Sequence, residues 1–300
     1  MDQTNTLIGP GQLLKNAWNT LSKHWQIFAM IALVPTAIKV VAVLFAITVI
    51  GLPIAILLVI ASVVFTLAMY IGVIDAVNRY STDAGAALTA KGQYKLGFSM
   101  FWSFLLVAII ACLVSWGSFV LLIIPGIIVA VYTSMYAFAR VLDDKRGFAA
   151  FAESYSLVKG HWWAVFGRGV LAAVIVILFS AIVSAILALI PILGPIVSSF
   201  IVTAAAVPFI VSYTRDIYAD LKRVRQPDVK TSAFKGWLIA FIVIGILAVI
   251  ILPFTVFSAL WAARGWIPAQ DRQGSYAPYD SAPFDNGGMT GTVPIPVATQ

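Results

Sequence analysis

Runs of about 20 or more apolar residues recur along this chain. That is the length an α-helix needs to cross a hydrocarbon core of about 30 Å. Backbone amides have no water to bond in that core, so such runs fold as helices. Alternating strand patterns are absent, which argues against a membrane barrel. Hydrophobic residues make up 61% of the chain and charged residues 10%, against roughly 25% charged in a soluble domain. The expected fold is all-α: a polytopic transmembrane helical bundle.

Seven spans are predicted, at about 25–50, 54–77, 101–124, 127–141, 163–189, 196–213 and 237–261. Gly51-Leu52-Pro53, Pro125-Gly126 and the run Pro191 to Pro195 break the apolar sequence into hairpins, because proline lacks an amide donor and clashes with the preceding turn. The fourth span is short. Residues 1–263 form the helical domain, and residues 264–300, with five Pro and five Gly, read as a disordered tail.

Amphipathic stretches precede three of the spans. Leu14, Trp18, Leu21, Trp25 and Phe28 share one helical face, and so do Phe148, Phe151, Tyr155, Val158 and Trp162. These are expected to lie in the membrane interface. Shifting the chain by 137 places Trp18 on Tyr155, His24 on His161 and Trp25 on Trp162; shifting it by 61 places Tyr94 on Tyr155 and Trp102 on Trp163. The reading is three repeats of interfacial amphipathic helix plus transmembrane hairpin, with one extra C-terminal span.

The net charge of +7 follows membrane orientation rather than nucleic acid, since the bases flank apolar runs. Sixteen of nineteen Lys and Arg fall before residue 25 or within 79–98, 140–168 and 215–235, and the hairpin turns carry none. The positive-inside rule makes those segments and the N-terminus cytoplasmic, in a multi-pass protein of the cell membrane. Seven spans then put the tail outside. The opening residues lack a basic region followed by an apolar core, so no cleaved signal peptide is expected. Trp25, Trp102, Trp162, Trp163, Trp237 and Trp261 are read as interfacial anchors.

Chemistry is sparse. Nucleotide-binding, hydrolase and metalloprotease signatures are absent, and no enzyme, cofactor or metal site is expected. Cys112 reads as a small packing residue. Asp75 is expected to pair with Arg79, and Asp143 and Asp144 with nearby bases. His24 and His161 occupy matching positions beside tryptophan without further ligands at metal spacing, so anchoring is favoured over a metal site. Gly169, Ala173, Ser180, Ser184 and Ala188 share a face that suits close helix packing. Lys39 is the one ionisable residue well inside a span, and hence the candidate intramembrane polar site. Two readings of it stay open: snorkelling to the outer surface, or lining a cavity.

Pro125-Gly126-Ile127, Ala137 to Val141, Asp143-Asp144-Lys145, Glu153-Ser154 and Val158-Lys159-Gly160-His161-Trp162, with the closing Asp216 to Arg223, resemble the bacterial membrane domain often joined to glycerophosphodiester phosphodiesterases. The resemblance covers roughly residues 10–225 and implies an integral helical unit. No His-Arg-Gly or metal-carboxylate cluster of the catalytic domain is present in this sequence, so the enzymatic activity does not carry over. The expected role is a non-enzymatic scaffold or accessory protein in envelope or lipid-related processes, whose partners are the lipid bilayer and other membrane or envelope proteins. The alternative is a small-molecule or lipid transporter, motivated by the repeats, Lys39 and the mid-span Pro35, Pro208 and Pro253.

Overall fold

The structure is a computed structural model that describes residues 7–48, 51–83, 87–121, 123–191, 193–224 and 231–265. The tail from residue 266 lies outside the described residues, as do Arg225 and Lys230 of the basic segment. Among the described residues there is no strand. The helices are α1 (Pro10–Ala46), α2 (Leu52–Thr82), α3 (Ala90–Leu121), α4 (Ile123–Thr133), α5 (Tyr136–Leu142), α6 (Phe148–Val158), α7 (Trp162–Leu187), α8 (Leu193–Arg223) and α9 (Ser232–Gly265). Among the described residues seven segments are long and apolar enough to cross a membrane, with α4 and α5 together counting as one. The protein is a multi-pass helical membrane protein. The described residues up to Ile250 form one compact unit, and those from Ile251 to Gly265 belong to a second.

Proline sits in the first turn of α1 and of α2, where its missing N–H leaves no helical bond unmade. The interfacial segment of α1 does not separate from its span. It runs on as one helix with a single non-helical residue, His24, at φ −122° and ψ 19°. His161, which precedes α7, has φ −122° and ψ 18°. Met100 stands at the corresponding position of α3, which runs from Ala90 to Leu121 as one helix. The expected separation of an interfacial segment from the third span is therefore absent.

The fourth span departs from expectation in a different way. It begins at Ile123 and is interrupted at Ser134 and Met135, which form a turn between α4 and α5. The side chain of Ser154 on α6 bridges this break. Its hydroxyl accepts from the Met135 N–H at 3.0 Å and donates to the Tyr132 carbonyl at 2.7 Å. A broken helix at membrane depth requires such a substitute for its lost ladder bonds.

Of the amphipathic stripes, Phe28, Phe151 and Val158 are buried, and the interfacial helices bury neighbouring positions with them. Leu13 and Ala17 on α1, Gln93 and Gly97 on α3, and Ala150, Ser154 and Val158 on α6 are buried at positions that coincide under the shifts of 137 and 61. Trp18 and Trp25 stay exposed. Small residues let backbones approach closely, which a large ring would prevent. At Gly97 a Cβ would lie 2.2 Å from the Ala68 carbonyl oxygen. The start of α1 packs on α8, the start of α3 on α2, and α6 on α4 and α5. Helices α2, α5 and α8 lie innermost, burying Ile71, Ile74, Phe138, Tyr213 and Ile217. α9 joins through two glycines: a Cβ at Gly117 would meet the Phe241 oxygen at 2.0 Å, and one at Gly245 the Leu113 oxygen at 2.1 Å.

Toward the hairpin tips the helices turn large apolar side chains outward, among them Leu44, Leu57, Ile177 and Ile186. Exposed apolar surface on this scale suits hydrocarbon rather than water. In the second unit, Phe254, Phe257 and Trp261 on the last turns of α9 are exposed in the same way.

Candidate functional site

The buried Arg and Asp side chains gather at the charged ends of the helices, and beneath them lies an apolar cavity. The collar starts at Asp220, 2% exposed on α8. Its carboxylate accepts from the Ile8 backbone N–H at 2.7 Å and from Arg223 at 2.7 Å, and pairs with Arg168 on α7 at 3.6 Å. Arg168 also donates to the Ile8 carbonyl. One turn earlier on α8, Asp216 accepts from Asn16 on α1 at 3.1 Å and from Arg215 at 3.2 Å, and Arg215 donates to Asn78 on α2 at 3.1 Å. These contacts fasten the first and last hairpins together.

The third sector is built on α5. Arg140, 2% exposed, donates to Ser103 on α3 and to Asp144 at 2.6 Å. Asp144 takes a left-handed φ of 50°, a conformation that Asp tolerates better than most residues. The hydrogen bond from Arg140 and the nearby charge of Arg146 hold the Asp144 carboxyl below the ordinary aspartate range. Asp143 meets Lys222 at 2.8 Å and the Tyr218 hydroxyl. Asp75 pairs with Arg79 at 2.7 Å, as its spacing predicts. With its amide turned to satisfy both neighbours, Gln93 donates to the Gly72 carbonyl at 2.9 Å.

Below the collar a cavity of about 410 Å³ lies among α4, α7 and α8. Its wall is largely aliphatic and aromatic, and includes Ile127, Ser134, Gly169, Ala173 and Tyr213. A groove of about 450 Å³ adjoins it, sharing Ile127 and lined by Tyr132, Trp162 and Trp163. The face of α7 predicted to pack closely is therefore divided. At the far end Ser184 and Ser198 hydrogen-bond at 2.9 Å between α7 and α8. At the near end Gly169 and Ala173 face the cavity, and a Cβ at Gly169 would meet nothing within 4 Å. The Tyr213 hydroxyl, the Ser212 hydroxyl and Nη1 of Arg168 are buried without a hydrogen-bond partner among the described residues.

Lys39 lies on an exposed face of α1 and lines none of the cavities described. Trp25, Trp102, Trp163, Trp237 and Trp261 are exposed. Trp162 is partly buried and stacks on Phe166 with ring centroids 5.1 Å apart. His24 stacks on Tyr80 at 3.7 Å, and His161 precedes the first turn of α7. Cys112 is exposed on α3 rather than packed. Among the described residues no group of three His, Cys, Asp or Glu could hold a metal ion.

Sequence reading missed Arg140, Arg168, Asp216, Asp220, Ser154 and Tyr213. A signal existed for two of them: Asp216 and Asp220 are four apart at the end of an apolar helix, and so share a face. Nothing local marks Ser154, whose role depends on a helix break 19 residues away. Compared with known proteins, the chain matches no family, no curated protein and no solved structure.

Proposed function

We propose that this chain is a non-enzymatic accessory or scaffold protein of the cell membrane, acting in envelope or lipid-related processes. The observation that carries this reading is the separation of polarity in the bundle. The buried charges at the helix ends are engaged with one another across hairpins, and the space inside is apolar. Such an arrangement fastens helices and offers no acid–base pair beside a chamber. The resemblance of residues 10–225 to the membrane domain joined to glycerophosphodiester phosphodiesterases supports a lipid-related setting.

The proposed architecture is a threefold repeat, supported by the coincident burial of Leu13, Gln93 and Ala150 neighbourhoods and by the equal dihedral angles of His24 and His161. The collar faces the cytoplasm, because the bases of the chain concentrate there. A lipid carrier is the second reading, favoured by the helix break at Ser134 that borders the cavity.

Topology is tested with single cysteines at Lys159 and Thr48 in a Cys112→Ser background. An impermeant maleimide added outside intact cells labels the second position only. Function is tested with a photo-crosslinking residue at Lys159 in living cells. A discrete adduct with the same membrane or envelope protein in every replicate is expected. Absence of any adduct, together with lipid movement in proteoliposomes that the protein accelerates, would replace the scaffold with the carrier. Lys39→Leu is expected to leave protein level and cross-linking unchanged; loss of the adduct at normal protein level would return Lys39 to a functional role.

A further inference from the structure

We infer that the cavity among α4, α7 and α8 is a phospholipid site, in which an acyl chain fills the chamber and a lipid oxygen accepts a hydrogen bond from Tyr213. The volume fits. At about 30 Å³ for each water-sized group, 410 Å³ holds on the order of a dozen chain carbons. It also falls in the range of ordinary ligand chambers, roughly 300–1,000 Å³.

The wall is open by composition. Gly169 and Ala173 form a face suited to a neighbouring helix, yet a Cβ at Gly169 would meet nothing within 4 Å. Small residues uncovered by protein leave room for something else.

Within this apolar wall stands one fully buried polar group without a partner. Tyr213 is 1% exposed and its hydroxyl makes no hydrogen bond among the described residues. Buried hydroxyls are nearly always paired, so this donor calls for an acceptor carried by the occupant. A hydroxyl donor within an apolar chamber matches a molecule with a long chain and an oxygen-rich head.

Depth selects the phospholipid. Tyr213 is 20 residues from the start of α8, or about 30 Å along an ideal helix. That is one hydrocarbon thickness, and it places the hydroxyl level with the glycerol and phosphate groups of one leaflet. The adjoining groove opens past Trp163, which is 77% exposed, so access is sideways from the bilayer.

The inference rests on the membrane-embedded reading and not on the scaffold role. The full chain, purified in mild detergent and stripped of lipid by washing, is mixed with palmitoyl-oleoyl phosphatidylglycerol and read by native mass spectrometry. One lipid per chain is expected to resist washing. Tyr213→Phe, which removes the donor alone, should weaken retention about fivefold, the worth of one hydrogen bond. Ala173→Trp should abolish retention by filling the chamber. Leu178→Trp, exposed on the same helix and outside the cavity wall, should change nothing. Retention unaffected by both Tyr213→Phe and Ala173→Trp overturns the site, as does equal displacement by palmitate or a bound detergent in place of lipid. If Ala173→Trp fails to fold, Tyr213→Phe decides alone. Loss of the unmodified protein from carbonate-washed membranes would instead overturn the membrane reading.

Discussion

Removing the Asp220 carboxylate by Asp220→Ala should cost about 3–5 kcal/mol of stability, the range for breaking a buried ion pair on one side. The magnitude follows from burial. The Asp220 side chain is 0% exposed and that of Arg168 10% exposed, so neither is screened by water. The variant leaves Arg168 without its counter-ion and the Ile8 N–H without its acceptor. Thermal unfolding in mild detergent, followed by the fluorescence of the nine tryptophans, provides the assay. At about 2–4 °C per kcal/mol for a chain of this class, the midpoint should fall by roughly 10 °C. Arg79→Ala supplies the comparison, because Arg79 is 54% exposed in its pair with Asp75 and such pairs contribute about 0–1 kcal/mol. The double variant Arg168→Met with Asp220→Ala should recover part of the loss, since the stranded charge is gone. An Asp220→Ala midpoint no lower than that of Arg79→Ala would refute the reasoning.

Three further outcomes are expected. Ser154→Ala should destabilise by about 1–3 kcal/mol, because the Met135 N–H loses its acceptor within a buried break; a detergent melt matching the unmodified protein would show that the break is bridged otherwise. Gly97→Ala should reduce the yield of folded protein, since its Cβ would press on the Ala68 backbone, whereas Gly167→Ala, with open space around it, should be neutral on size-exclusion chromatography. The folded pKa of Asp144 is below its unfolded value, so its contribution is complete above about pH 4, the ordinary aspartate value, and is lost as pH falls through the folded value. As pH falls below about 4 the unmodified protein should therefore lose more stability than Asp144→Asn, and parallel pH profiles would contradict this.

The spans were legible because a bilayer imposes length and apolarity on every crossing helix, and α2, α7 and α8 extend only a few turns beyond or short of expectation. The Asp75–Arg79 pair was legible because four residues bring side chains together on any helix. The interruption at Ser134 was not, since neither Gly nor Pro marks it. It persists because α6 supplies a serine from elsewhere in the chain. The stripes were legible as helical faces, but not which of their members the bundle buries: Trp18 and Trp25 are exposed while Phe28 and Phe151 are buried, because that depends on the helix packed opposite. Lys39 drew notice as an isolated charge, yet Arg140 and Arg168 are buried, and the burial of Arg168 depends on contacts with Ile8 and Asp220 that no local window contains.

The hydrogen bond from Ile8 to Asp220 joins residues 212 apart. At a synthesis rate of about 5–20 residues per second, the ribosome needs roughly 10–40 s to traverse that interval. Throughout it, Leu13 and Ala17 have no α8 to cover them, and the first hairpin waits in the bilayer with an uncovered face. Closure of the bundle is therefore a post-insertion event, set by the emergence of the last residues of α8. A chain halted before Asp220 would carry seated hairpins and an unfastened beginning.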